Sequence, residues 1–496
     1  MHALVSEPPC RDLSIPRGEP RRRQGASLTK RNARAPHPTP PTASGRVSHC
    51  SSEAGLGPLS QGTFEPIQCH VLAWSGHETA ESQQDLMGVR GVSPAKLVAL
   101  VCVAQVLVQL GANFWPALLP TLTSRWALTY SEAGWVTASF YAAYIIAVPV
   151  LVTLTDRVDA KRVYLTGVAL TVAGHLLFAW QADGFWSAVA ARCLTGVGWA
   201  GTYMTGLKLL ADRVDGKLMS RATAGHAASV GISGSISFVT ADLIAGFGGW
   251  PLAFLVGAVG AAAAWVLVAF AVPNSAASVP AVRAATPLFD FRPVFRNRSA
   301  MAYAIVYGIH TLEMNALRGW GVAYLTFVAA FTGSSAAILS PAAALTVLGI
   351  AGTLTSVAGN EAAILLGRRR LIVTALASSI FLACLIAMVG PWSYALAVTL
   401  LVLYGPVIWL DSSSLTAGAA GTAEPSKRGA TLAVHSMLGY TGGFIGPLIV
   451  GWSLDLGGGM SSGTWALSFG IIALLSVGAL LTLLAMRSLE LPGDRR

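Results

Sequence analysis

From about residue 95 onward the chain is a succession of apolar runs, each roughly 20 residues long, divided by short connections that carry Gly, Arg and Lys. Runs of about 18 or more apolar residues are long enough to cross the hydrocarbon core of a bilayer. In lipid the backbone has to satisfy its own amides and carbonyls, so such runs cross as helices. A soluble fold is excluded from the other side as well. Only 11% of the 496 residues are charged and 54% are hydrophobic, against about 25% charged in an ordinary soluble domain. The residues for a hydrated shell are missing.

The runs place twelve spans, at 97–120, 132–154, 163–181, 185–209, 222–246, 251–272, 300–330, 340–359, 371–389, 393–418, 430–453 and 464–486. The expected fold is an all-α membrane protein with two pseudo-symmetric six-helix bundles, 93–272 and 300–487, joined by a linker at 273–299 and ending in a tail at 488–496. The seventh run is too long for one straight perpendicular helix. Either Gly319-Trp320-Gly321 breaks it or its start lies in the interface. Residues 1–92 are rich in Pro, Arg, Ser and Gly and poor in long apolar side chains. Such a segment buries too little surface to offset its ordering entropy and is expected to be disordered. Arg21-Arg22-Arg23 leads into no apolar stretch, so it is not an export signal, and Met87 is a candidate alternative start.

The net charge of +10 is spread between the apolar runs rather than along one stripe, which argues against nucleic acid. Alternate connections hold Arg157, Lys161 and Arg162; Arg213, Lys217 and Arg221; Arg283, Arg292, Arg296 and Arg298; Arg368, Arg369 and Arg370; Lys427 and Arg428. The opposite set holds Arg125 alone. The positive-inside rule puts the basic set and both termini in the cytoplasm, with the chain in a cytoplasmic (inner) membrane. The six cysteines form no CxxC pair, so neither a zinc site nor a disulfide framework is indicated, and no cofactor is implied. No GxxxxGK[ST] sequence and no nucleophile–base constellation occurs, which argues against an ATP-driven pump and an enzyme within this chain.

The chain also repeats itself. Arg221 precedes a Gly- and Ser-rich helix that contains His226 and ends at Asp242, before Trp250-Pro251-Leu252-Ala253-Phe254. Arg428 precedes a Gly-rich helix that contains His435 and ends at Asp455, before Trp465-Ala466-Leu467-Ser468-Phe469. Weak internal repeats of this kind are left behind by duplicated transporter folds.

The connection between spans two and three reads Leu154-Thr155-Asp156-Arg157-Val158-Asp159-Ala160-Lys161-Arg162, and span four carries Arg192-Cys193-Leu194-Thr195-Gly196-Val197-Gly198. With twelve spans and a central basic loop, the chain resembles the major facilitator superfamily over roughly residues 95–490. The resemblance implies a secondary transporter. It also implies a conformational latch at the loop, with Asp156 as its carboxylate and Arg157, Lys161 and Arg162 beside it. Val152, Asp159 and Ala160 depart from the family's usual residues there. The matching loop in the second half runs from Gly359-Asn360-Glu361 to Gly367-Arg368-Arg369-Arg370, with Glu361 and Arg368 in the corresponding roles.

An ionisable residue at the centre of a span costs at least ~2.5–3.5 kcal/mol and persists where it meets a partner or a cavity. Span seven holds the densest set, His310, Glu313 and Arg318. At about 100° per residue, His310 and Glu313 share a face and the three fan over about 140°. They are candidates for solute binding or coupling, the alternatives being a packing salt bridge and an Arg318 that snorkels to the interface. Glu313 is a candidate proton carrier and His310 an alternative one. Arg192 in span four is suited to an anionic solute or to pairing with Glu313 or Asp411. Asn113 in span one and Asp411 in span ten are further cavity candidates, while His226 and His435 are gate candidates and His175 reads as a packing residue. Glycines 439, 442, 443 and 446 suit either helices that slide or static close packing.

The reading these features favour is a monomeric symporter that moves a small polar, possibly anionic solute by alternating access, with protons as partner. A drug or metabolite efflux antiporter and a non-transporting ligand sensor are the alternatives. Span five has Gly231-Ile232-Ser233-Gly234-Ser235 without the Pro that antiporter relatives often carry.

Overall fold

The computed structural model describes residues 92–155, 157–214, 216–274, 291–334 and 339–486. Every expected apolar run is a helix or a pair of helical segments. The first span is Pro94–Val108 and Phe114–Arg125, the second Tyr130–Leu154, the third Ala160–Gln181, and the fourth Phe185–Ala200 and Tyr203–Ala211. Helix Gly216–Ala271 holds the fifth and sixth spans, 216–247 and 250–271, on either side of Gly248 and Gly249. Gly249 has φ +77°, a conformation that favours glycine, and it lets the chain reverse there. The second half follows with Arg298–Thr332 (seventh), Pro341–Leu366 (eighth) and Arg368–Val389 (ninth). Tyr394–Trp409 with Ser412–Gly421 makes the tenth, Arg428–Leu456 the eleventh and Ser462–Met486 the twelfth.

Eight of the helices in the described residues are long and apolar enough to cross a membrane unaided, and one of these carries two spans. The first and fourth spans are divided by turns, and the seventh is the one loaded with polar side chains. That seventh helix runs unbroken through Gly319-Trp320-Gly321. Trp320 is buried and donates from Nε1 to Pro447 O at 2.9 Å, which anchors the helix there, so of the two alternatives for this long run the break does not occur. Helix starts follow local chemistry. Thr129 and Glu132 form a reciprocal capping box at the second span, and Ser340 caps the eighth ahead of Pro341.

Buried apolar side chains form three clusters. The largest draws on both halves, from Phe114, Trp115 and Phe178 in the first to Trp320, Tyr404 and Trp465 in the second. Its members lie toward the end of the bundle away from the basic connections. At the basic end the two halves pack separately. Val101, Tyr164, Leu209 and Val268 gather in the first half, and Tyr303, Ile372, Leu415 and Leu483 in the second. The halves are therefore joined at the outer end and hold their own cores at the basic end.

Close helix approach explains the glycines of the eleventh span. A Cβ on Gly442 would lie 2.0 Å from Gly308 O, and one on Gly446 would lie 2.3 Å from Leu312 O. Both face the seventh span of the same half. Gly451 instead meets Tyr130 O across the seam between halves, and Gly134 of the second span meets Pro447 O there. These glycines let backbones approach closely both within the second half and across its outer contact.

Candidate functional site

Pro116 has no amide to give to Ala112 O, the acceptor one turn earlier, and the first span is unwound over 109–113. Arg192 of the fourth span meets that need by donating from Nη1 to Ala112 O at 3.3 Å. Its guanidinium lies 4.5 Å from the Phe140 ring centroid, and Nε has no hydrogen-bond partner among the described residues. Asn113 ties the same unwound stretch to the fifth span. Its amide donates to Ser237 Oγ at 2.9 Å and its Nδ2 to Gly234 O at 2.6 Å. Arg192 and Asn113 thus both hold the break in the first span, and Arg192 keeps donor capacity to spare.

Arg318 lies on the seventh span with its guanidinium 4.8 Å from the Trp409 ring centroid. Neither Arg192 nor Arg318 has an ion pair among the described residues. Tyr141 of the second span is next in sequence to Phe140, the ring beneath the Arg192 guanidinium. Tyr141 in turn donates across the seam to Asn315 Oδ1 at 2.6 Å, and Asn315 Nδ2 donates to Thr311 O at 2.8 Å. Tyr141 and Asn315 therefore meet at the junction of the two halves, with Arg318 on the same face as Asn315, while Arg192 lies in the first half against Phe140, beside a cavity lined by Gln109, His175 and Thr195. Toward the basic end the Tyr144 and Tyr440 rings meet across the seam, 3.9 Å apart, with Trp199 against both.

The remaining candidates turn into the second half. Glu313 is 3% exposed and accepts hydrogen bonds from Ser379 and Tyr404, with Ser476 Oγ donating at 3.2 Å. Those partners belong to the ninth, tenth and twelfth spans. His310 Nδ1 lies 2.9 Å from Asp411 Oδ1 at the break in the tenth span, both groups buried; the contact has ion-pair distance without hydrogen-bond alignment. Glu313 and Asp411 are thus occupied within their own half, and neither pairs with Arg192.

His226 and His435 hold equivalent places in the repeat. The His226 ring stacks on Tyr203 and donates from Nε2 to Tyr203 O at 2.9 Å. The His435 ring stacks on Tyr307 at 3.9 Å, with Nε2 3.1 Å from Thr416 Oγ1. His175 packs against Phe114 and Phe254.

Of the latch candidates, Asp156 lies outside the described residues. Arg157, Arg162 and Glu361 are exposed. Lys161 is buried and caps the end of the sixth span, donating from Nζ to Ala269 O at 2.9 Å, Val272 O at 2.6 Å and Asn274 Oδ1 at 3.1 Å. Arg213 pairs with Asp159 at 3.0 Å beside it. Arg368 donates to Asn360 Oδ1 at 3.0 Å and to Ser414 O at 3.2 Å. Lys161 and Arg368 each brace helix ends of their own half.

Tyr141, Asn315, Tyr404, Ser379 and Ser476 were not among the residues singled out in the sequence. Asn315 carried a usable signal, being a strongly polar residue inside a span. The others are hydroxyls that occur throughout the spans, and only the packing selects them.

Residues 101–447 match the sequence profile described as Major Facilitator Superfamily. The chain belongs to this family. As a member it is a multi-pass membrane protein. The MFS-type transporter YwoD of Bacillus subtilis (strain 168) is 27% identical over 168 residues, a stretch covering 33% of this chain and 36% of that protein. The aligned part is thus about a third of the relative's length. Among solved structures, the nucleoside transporter NupG superposes with a TM-score of 0.62 at 16% identity, over 79% of this chain and 99% of that one. A bacterial homologue of the human lysosomal transporter Spinster, in an inward-facing and unoccupied conformation, superposes with a TM-score of 0.64 at 13% identity, over 80% and 96%. At those identities the likeness is one of fold.

Proposed function

We propose that this transporter carries a small polar organic anion, held at the seam between its halves by Arg192 and Arg318 with Tyr141 and Asn315 between them. The observation that carries the reading is the pair of guanidinium groups with no carboxylate partner among the described residues, each held over an aromatic ring. A permanently charged fork in an apolar bundle is stabilised by a ligand that brings the missing negative charge, and its geometry matches a carboxylate or phosphate. The carrier works by alternating access, its halves rocking about this site. The joined outer core and the separate cores at the basic end support an inward-facing state, with the basic connections and both termini in the cytoplasm of a cell whose inner membrane holds the protein. Transport is proton-coupled and the carrier acts as a monomer.

A thermal-shift screen of the purified protein against small organic anions and their neutral analogues tests the site. Anions raise the melting temperature, neutral analogues do not, and the shift disappears in Arg318→Ala and in Arg192→Ala. Stabilisation by neutral analogues that survives both substitutions would discard the reading.

A further inference from the structure

The seventh span presents two chemically different faces. Thr311, Asn315 and Arg318 recur at helical spacing on one, where Asn315 meets Tyr141 across the seam. His310, Glu313, Leu317, Trp320 and Tyr324 recur on another, about 140° away at 100° per residue. This second face looks into the second half, where Glu313 is enclosed by the Ser379, Tyr404 and Ser476 hydroxyls. The eleventh span contributes the apolar Val450 nearby. His310, nearly one turn toward the basic end, and Asp411 beside it are titratable groups on the basic side of Glu313.

On the outer side of Glu313 lies a cavity of about 20 Å³, with room for about one water. Glu313, Trp320, Tyr324, Tyr404 and Trp465 line it. Tyr324 Oη and Trp465 Nε1 are both buried without a hydrogen-bond partner among the described residues. Buried polar groups in a protein of this kind are satisfied by protein or by water. Tyr324 Oη also lies against Gly390 at the outer end of the ninth span, where a Cβ would come within 2.1 Å of the oxygen. Below Glu313 the face continues to His310 beside Asp411, and the Tyr307 ring bridges His310 to His435.

We propose that Glu313 is a proton-binding site enclosed in the second half, reached from the outer end past Tyr324 and Trp465 rather than through the solute seam. A proton adds to one carboxylate oxygen and leaves by the same bond toward His310, so no electron transfer or co-reactant is involved. The seventh span links the two sites, since the helix that holds this carboxyl also carries Arg318 and Asn315. That linkage rests on the proposed solute site, whereas the proton site itself does not.

Infrared difference spectroscopy on the purified full-length chain, comparing acidic with alkaline buffer and with no solute present, tests the assignment. A protonated-carboxyl C=O band is expected on acidification. It is lost in Glu313→Gln and moves in frequency in Tyr404→Phe, which removes one hydroxyl donor. After a rapid pH jump, Tyr324→Phe slows its appearance several-fold and leaves its final amplitude unchanged. If Glu313→Gln does not fold, Glu313→Asp must shift the band. A band that persists in Glu313→Gln, or disappears only in Asp411→Asn, overturns the site, and an unaltered rate in Tyr324→Phe overturns the route. Anion binding at the seam with a band indifferent to Glu313 defeats this inference alone, and the band without any anion binding defeats the solute reading alone.

Discussion

Asp455, the last acid of the eleventh span, caps the second span across the seam: its Oδ2 accepts the Ser131 amide at 2.7 Å, and its Oδ1 accepts that of Tyr130 at 3.0 Å. The repeat supplies a counterpart, because Asp242 at the end of the fifth span accepts from Ser340 Oγ at 3.1 Å, and Ser340 caps the eighth span. Each half thus offers a carboxylate to a helix N-terminus of the other, where the unpaired amides and the dipole favour negative charge.

Removing one of these carboxylates should loosen the outer closure. Asp455→Ala is expected to lower the stability of the closed outer end by about 1–2 kcal/mol, the usual worth of a cap. Spin labels at positions 183 and 392, one on the outer end of each half, should report a broader and longer distance distribution than in the parent. An unchanged distribution would show that the apolar core alone holds the halves together.

Tyr141→Phe deletes the hydroxyl that joins the second span to Asn315 and leaves both guanidinium groups in place. A hydrogen bond of this type contributes about 1 kcal/mol net. Anion affinity should fall several-fold while the melting temperature without ligand changes little. Calorimetric titration with an anion found in the thermal-shift screen checks this, and equal affinity would remove Tyr141 from the site.

The buried contact between His310 and Asp411 should behave as a coupled pair. Asp411→Ala is expected to cost about 3–5 kcal/mol, as breaking a buried pair does. Adding His310→Ala should cost far less than the sum of the single changes. Melting temperatures of the four proteins in the cycle give the coupling, and simple additivity would mean that the two side chains act independently.

Gly442 has no room for a methyl group against Gly308 O. Gly442→Ala should therefore destabilise the second half by about 1–3 kcal/mol through overpacking, even though alanine is the better helix former. Size-exclusion chromatography after graded heating reads the loss. A variant as stable as the parent would show that the seventh and eleventh spans can move apart at little cost.

The order and number of the spans were legible because a bilayer imposes its thickness on every crossing segment, and hydropathy along the chain records it. The breaks were less so. Pro116 and Gly111 stand in the first apolar run, yet an unwound turn there is tolerated only because Arg192 of the fourth span and Gly234 and Ser237 of the fifth arrive to bond it, the last two through Asn113. The opposite happened at Gly319-Trp320-Gly321, where packing against Pro447 keeps the helix whole. Of the candidate site, the charged residues were visible from their cost in lipid, whereas the Tyr141 and Tyr404 hydroxyls that organise them had no such mark.

Sequence alone settled that this chain crosses a membrane about twelve times in two related halves, since apolar length and the placement of arginines and lysines are one-dimensional properties. Tertiary structure alone decided that Glu313 faces its own half while Arg318, five residues on, stands by the seam. That choice depends on how each helix is rotated about its axis, and rotation is set by the neighbours a helix packs against.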